Sequence, residues 1–195
     1  MIELVVIGGS SGALEALLAL VPALPDELTA PLVVVLHLGH TQKNLVPEIL
    51  RNTTRRPVVE ADDKQPLRAG HIYVAPPNYH LLVERTRTLA LSVDEPINFS
   101  RPSIDVLFES AADGYGARCV GILLSGANDD GSRGLERIAD AGGHAFVQSP
   151  VTASQPTMPA AAARRLGDRA VVMTMPDVAK ALARMATAAY VEDRP

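Results

Sequence analysis

Short apolar runs alternate with helix-patterned segments along most of this chain, and few folds accept that order. Residues 4–7 form one such run and are closed by Gly8-Gly9. Residues 32–38 form a second, 120–124 a third, 145–147 a fourth and 170–173 a fifth. Runs this short and this continuous read as strands, and the first two fit strands buried on both faces. Between them lie helical stretches at 12–21, 44–52, 102–115, 132–141, 159–166 and 177–188. Pro22 and Pro25 stop the first of these, Asn44 is a candidate N-cap for the second, and Gly142-Gly143 closes the fourth. The middle reads differently. Residues 58–60, 71–75, 80–84 and 88–93 are strand-like pieces parted by Pro76-Pro77-Asn78 and by 84–87, which predicts a β-rich insertion with a hairpin. The fold expected is α/β: a doubly wound, mostly parallel, Rossmann-like three-layer sheet with a β-hairpin insertion. One domain over residues 1–190, with a frayed tail at 191–195, accounts for the 195 residues.

Composition narrows the function. A net charge of −4 gives no basic excess with which to neutralise phosphates, so nucleic acid is not an expected partner. One cysteine, Cys119, allows neither an internal disulfide nor a cysteine zinc cage. No apolar stretch reaches the roughly 18–20 residues of a membrane span, and the N-terminus lacks a basic leader. A cytoplasmic enzyme or binding module, without membrane insertion, is the expectation.

In a doubly wound sheet, ligands bind beyond the carboxyl ends of the strands. Three strand ends carry polar chemistry. The first, Gly8-Gly9-Ser10-Ser11-Gly12, contains Gly-x-Ser-x-Gly, the strand–turn–helix pattern that exposes a nucleophilic hydroxyl near a helix N-terminus. A plain tight turn or a phosphate-binding loop would look similar. A dinucleotide fingerprint, however, needs glycines where Ser10 and Ala13 stand, and a Walker loop needs a Lys-Ser/Thr pair that is absent. The second end carries His37, a candidate general base that would otherwise be a structural histidine. His40 is near, but a His37/His40 metal pair lacks further ligands, and no metal or organic cofactor is expected. The third end, from Ser125 to Gly131, offers Asp129 and Asp130. Only one of two successive carboxylates can face His37, where it would orient the imidazole. Asp130 has a competing use as N-cap of the following helix. Ser…His…Asp is not the α/β-hydrolase chain order, so the elbow does not imply that fold.

Several segments together resemble one family. They are residues 7–16, His37, Tyr73-Val74-Ala75-Pro76 with His80-Leu81, Arg101-Pro102-Ser103-Ile104-Asp105 through Phe108, Leu124-Ser125-Gly126 through Gly131, and Gly142-Gly143 through Gln148 to Met158-Pro159. Six segments in this order resemble the catalytic domain of CheB-type chemotaxis protein-glutamate methylesterases over about residues 3–186. The resemblance implies Ser10 as nucleophile rather than Ser11, His37 as base, and Asp130 rather than Asp129 as the third member. It implies hydrolysis of glutamyl methyl esters, and deamidation of glutamines, on the cytoplasmic helices of chemoreceptors. It further implies a place in chemotaxis or related signal transduction beside a separate methyltransferase or receiver protein.

Backbone N–H groups at Ser11 and Ala127 are then the expected oxyanion donors, and Arg101 is a candidate for binding the substrate or, equally, a surface arginine at a helix start. The family commonly has Met-Gly-Asn where this chain has Ala127-Asn128-Asp129, and Thr and Gly where it has Ser11 and Ala13. Its usual members carry an N-terminal receiver domain. With a first strand at residue 4, this chain is expected to be a stand-alone form or a fragment. A non-catalytic receptor- or partner-binding module of the same fold, a small-ester hydrolase and a nucleotide-binding regulator are the alternatives.

Overall fold

The computed structural model describes residues 1–37 and 44–192. His40 lies outside the described residues. Nine strands and six α-helices follow in the order β1 (Leu4–Gly9), α1 (Ala13–Leu20), β2 (Leu32–Leu36), α2 (Val46–Arg51), β3 (Val58–Glu60), β4 (Ile72–Val74), β5 (His80–Val83), β6 (Leu89–Ser92), α3 (Ile104–Tyr115), β7 (Cys119–Leu123), α4 (Ser132–Asp140), β8 (His144–Gln148), α5 (Thr157–Leu166), β9 (Val171–Met173) and α6 (Met175–Glu192), among the described residues. Seven strands form one parallel sheet in the order β3-β4-β2-β1-β7-β8-β9, and β5 and β6 pair as a separate antiparallel hairpin.

The alternation of side chains along each strand sets the layers. Val5 and Ile7 of β1 face one core with Leu17 and Leu20 of α1, Leu50 of α2 and Leu182 of α6. Leu4 and Val6 face the other, with Leu107 and Phe108 of α3, Leu135 and Ile138 of α4 and Ala162 of α5. The central strands are therefore buried on both faces, which is why their sequence reads as unbroken apolar runs. The hairpin joins the second core through Leu81, Val83 and Leu89.

Two expectations change. The insertion is only β5–β6: β3 and β4 belong to the main sheet, where β4 pairs with β2 in parallel register, Leu32 opposite Ile72. Each has three residues, and no helix lies between them, so the βα rhythm is locally absent. At α2 the cap position is Leu45, and Asn44 reaches past it to accept from the Val46 N–H at 3.3 Å. Helix α6 runs to Glu192 among the described residues. Among the described residues no helix is long and apolar enough to cross a membrane.

Strand order reverses beside β1. The chain moves from β1 to β2 on one side, and β7 to β9 build outward on the other. The crevice at such a reversal, beyond the strand ends, is where this architecture places ligands. The ends of β2, β1 and β7 meet there.

Candidate active site

The elbow after β1 is sharp because two glycines remove side chains that would collide. A Cβ on Gly9 would lie 2.4 Å from the Ala13 Cβ, so α1 starts directly over the strand end. Gly12 has φ +76°, a left-handed conformation, and a Cβ there would meet Ser154 at 2.5 Å. Between them Ser10 is tied by its backbone: its N–H donates to the Ser125 carbonyl at 2.8 Å, and its carbonyl accepts from Ala13 N–H at 2.9 Å. Its side chain is partly exposed. Among the described residues no hydrogen bond engages the Ser10 hydroxyl, and the Ser11 and Ala127 N–H groups have no acceptor.

Gly9 pairs with Leu36, and His37 is one step further, its N–H donating to the Gly9 carbonyl at 3.1 Å. His37 and Ser10 thus occupy adjacent positions on neighbouring strand ends. The His37 ring bonds to Asp130, Nε2 to Oδ2 at 2.9 Å, with the histidine side chain 12% exposed and the aspartate fully buried. Asp129 is exposed. An ionised carboxylate only accepts, so Nε2 carries a proton, and in the neutral ring Nδ1 is the nitrogen with the lone pair. Three strand ends therefore deliver a hydroxyl, an imidazole with one basic nitrogen, and a buried carboxylate to one crevice.

The model of the CheB methylesterase family matches residues 5–182. The chain belongs to the CheB methylesterase family. A Leptospira interrogans protein (serogroup Icterohaemorrhagiae serovar copenhageni, strain Fiocruz L1-130), provisionally named protein-glutamate methylesterase/protein-glutamine glutaminase, is 44% identical over 82% of this chain and 83% of its own length. A protein-glutamate methylesterase/protein-glutamine glutaminase of Anaeromyxobacter dehalogenans is 39% identical over 93% of this chain, which spans 52% of that longer relative. The crystal structure of the Thermotoga maritima CheB methylesterase catalytic domain superposes with a TM-score of 0.89 at 26% identity, covering 95% of this chain and 99% of that one. The α/β architecture is thus that of a CheB catalytic domain, and the chain stands among hydrolases of carboxylic esters.

Within this family fold, the Asp130 carboxylate is held by five hydrogen bonds. Its Oδ2 accepts from the Ile104 N–H at 2.7 Å besides His37. Its Oδ1 accepts from Ser103 Oγ at 2.9 Å and from the Asp105 and Gly131 N–H groups at 3.1 Å each. Ile104 and Asp105 are the first residues of α3, so the carboxylate caps α3, not the helix that follows it. Helix α4 has Gly131 at its cap position, without a side-chain cap. Burial by itself pushes the Asp130 carboxyl up, but the His37 bond and the α3 amides outweigh it and hold the group below its ordinary range. Asp105 returns the favour across the helix pair, accepting from the Gly134 N–H of α4 at 2.7 Å. Burial, opposed by that bond and aided by the nearby Asp130 charge, pushes Asp105 up to about 6.

The loop after β7 is built around Ser125. Its N–H donates to Gln148 Oε1 at 2.8 Å, and its buried hydroxyl donates to the Ser11 carbonyl at 2.7 Å and accepts from Gln155 N–H at 2.9 Å. Gly126 and Met158 exchange no side-chain space: a Cβ on Gly126 would sit 2.5 Å from Met158 Cε. These bonds hold the Ser11 and Ala127 amides on facing loops. Arg101 lies in the loop before α3, where its Nη1 donates to the carbonyls of Val93 and Asp94 at 2.8 and 3.0 Å. That use ties the loop to the end of β6. Taken one at a time in the sequence, Ser103, His80, Ser125 and Gln148 carry no site signal. The signal available for them was the family resemblance, which includes all four.

Proposed function

We propose that this chain hydrolyses methyl esters of glutamate side chains, and deamidates glutamines, on the cytoplasmic helices of chemoreceptors, with residues 1–190 as the catalytic unit and no cofactor. The observation that carries the reading is the part-buried His37–Asp130 bond, with His37 and Ser10 each one step beyond the Gly9–Leu36 pair. Ser10 Oγ attacks the ester carbonyl while its proton passes to His37 Nδ1. The Ser11 and Ala127 N–H groups, which have no acceptor among the described residues, receive the oxyanion; such donors are worth about 3 kcal/mol each. His37 then protonates the departing methoxide, so the C–O bond breaks to give methanol and an acyl-serine. Water, deprotonated by His37, attacks that acyl carbon and releases glutamate and free Ser10. Asp130 holds the proton on Nε2 throughout and stabilises the imidazolium.

A partly exposed Ser10 at a sheet edge suits an ester displayed on a helix surface. Phe99 and Val151, 98% and 94% exposed, lie on the loops before α3 and after β8 and offer apolar contacts to a protein substrate. The esters would come from a separate methyltransferase, and a receiver protein is the regulatory partner the family suggests. A non-catalytic binding module is the weaker reading, because it has no use for an oriented basic nitrogen beside a free hydroxyl. The test is methanol release from a methylated receptor fragment by the wild type beside Ser10→Ala, whose folding is checked by circular dichroism. Full activity in Ser10→Ala refutes the assignment.

A further inference from the structure

Behind the His37–Asp130 pair lies a chain of buried polar groups that the reaction scheme does not use. Ser103 occupies the cap position of α3 and is fully buried. A serine there ordinarily turns its oxygen onto the second or third amide of its own helix. Ser103 does not; its hydroxyl donates to Asp130 Oδ1, and Asp130 takes the helix amides instead. The Ser103 N–H in turn donates to Nδ1 of His80 at 3.1 Å, and His80 Nε2 lies 3.1 Å from the Glu95 carbonyl. His80 is 2% exposed. Only one proton arrangement satisfies these contacts. A carbonyl and a carboxylate only accept and an N–H only donates, so His80 is neutral, with its proton on Nε2.

We infer that Ser103 and His80 are positioning residues for the catalytic carboxylate, an inference that rests on the proposed triad. Asp130 Oδ2 is shared by His37 and Ile104, and the plane of the carboxylate is set by what holds Oδ1. Of the three donors to Oδ1, Ser103 Oγ is the one side chain. His80 clamps the Ser103 backbone and so fixes where that hydroxyl points. It also ties the β5–β6 hairpin, a separate sheet, to the catalytic strand ends. The hydroxyl has an electronic effect as well. Each donor draws charge from the carboxylate, so its loss leaves more negative charge facing His37. The ionisable groups around Asp130 are His37 after β2, Asp105 on α3, His80 on β5 and, through Asp105, Arg133 of α4.

The experiment uses the full chain with Ser103→Ala, Ser103→Thr, His80→Asn and His80→Leu. Methanol release from a methylated receptor fragment is followed against pH, alongside the proton resonance of the His37 ring N–H and thermal melting. Ser103→Ala is expected to lower kcat about tenfold, roughly the loss of one oriented hydrogen bond, with KM within twofold. The acid limb of its pH profile moves to higher pH, and the His37 ring proton shifts. Ser103→Thr keeps the hydroxyl and restores kcat. His80→Asn keeps an acceptor where Nδ1 stands and outperforms His80→Leu at equal melting temperature. Wild-type kcat and an unmoved limb in Ser103→Ala overturn the inference, as does equal behaviour of the two His80 variants. Where the Thr methyl is not accommodated, the His80 pair carries the comparison. A wild type inactive on the methylated fragment refutes the proposed function alone. The ring-proton shift still decides the positioning: a shift in Ser103→Ala supports it, and its absence overturns it.

Discussion

Asp105 offers a test of the electrostatics that needs no substrate. Its carboxyl is 3% exposed and accepts one strong bond, from Gly134 N–H at 2.7 Å. Its nearest cation, Arg133 Nε, is 3.7 Å away on a side chain 54% exposed and mainly engaged by Glu109. Buried, weakly compensated and close to the Asp130 charge, it is pushed from 3.8 up to about 6. That difference corresponds to about 3 kcal/mol. Between those pH values the folded chain keeps a proton at Asp105 that the unfolded chain has released, so stability falls as pH rises from about 4 to 6 and levels out above. Asp105→Asn removes the charge and keeps an oxygen for Gly134. Its stability relative to wild type is therefore expected to rise by about 3 kcal/mol between pH 4 and pH 7. Urea unfolding followed by circular dichroism, as a series in pH, measures this directly. Groups not coupled to Asp105 cancel in the difference. Asp130 runs the opposite way: its lowered value contributes stability that is lost only as pH falls below the ordinary carboxylate range. A pH-independent offset between the two curves would refute the account of Asp105.

Asp130→Asn must put its amide N–H₂ either at the Oδ2 position, against the His37 ring and the Ile104 N–H, or at the Oδ1 position, against the Asp105 and Gly131 N–H groups, all donors in the wild type. Turned toward His37, it puts the ring proton on Nδ1, and kcat is expected to drop about 10⁴-fold with the fold retained, checked by steady-state kinetics and circular dichroism. Gly12→Ala meets both φ +76° and a 2.5 Å contact with Ser154 Cβ. A loss of about 1–3 kcal/mol in urea unfolding is expected, with activity reduced through the displaced Ser11 amide; unchanged stability contradicts the elbow geometry. Phe99 sits at the tip of a two-residue turn, with φ 60° and with Ile97 and Ser100 exchanging backbone bonds. Phe99→Ala is expected to raise KM for a receptor fragment several-fold while leaving kcat and hydrolysis of a small ester unchanged; equal effects on both substrates count against a docking role.

What the sequence discloses about this molecule depends on how far apart the cooperating residues lie. The strands β1, β2, β7 and β8 are legible because burial on both faces writes itself into consecutive residues. Strands β3 and β4 are not assigned to the sheet, because three residues carry little pattern and their pairing with β2 is a long-range event. Ser10 and His37 stand out as polar residues at strand ends. Asp130 stands out too, but its proximity to a helix start suggests the wrong helix. The amides it caps are 25 and 26 positions upstream, on a helix that reaches this crevice only because α3 packs against α4. Ser103 and His80, 23 positions apart, have no local signature. Each alone is an ordinary buried polar residue; only the fold makes them a chain.

The same reasoning explains why the triad has its chain order. In a parallel sheet every strand ends on the same edge, so residues after neighbouring strands meet whatever their separation in sequence. Here β1 lies between β2 and β7, and each pairs with it over five residues. Ser10 after β1 therefore has one neighbour after β2 and one after β7. The histidine follows the nearer strand in sequence, and the loop carrying the aspartate follows the farther one. The aspartate must reach past the serine to the histidine, a span that a residue directly at the end of β7 would not cross. Asp130 stands seven positions beyond Leu123, and its loop is pinned at Ser125 to the elbow and at Gly131 to the carboxylate itself. The N-terminus of α3 receives the charge at the far side of that span. A helix start is a favourable place for a buried anion. Placing α3 there lets one aspartate both end a helix correctly and stay ionised against an imidazole that must gain and lose a proton.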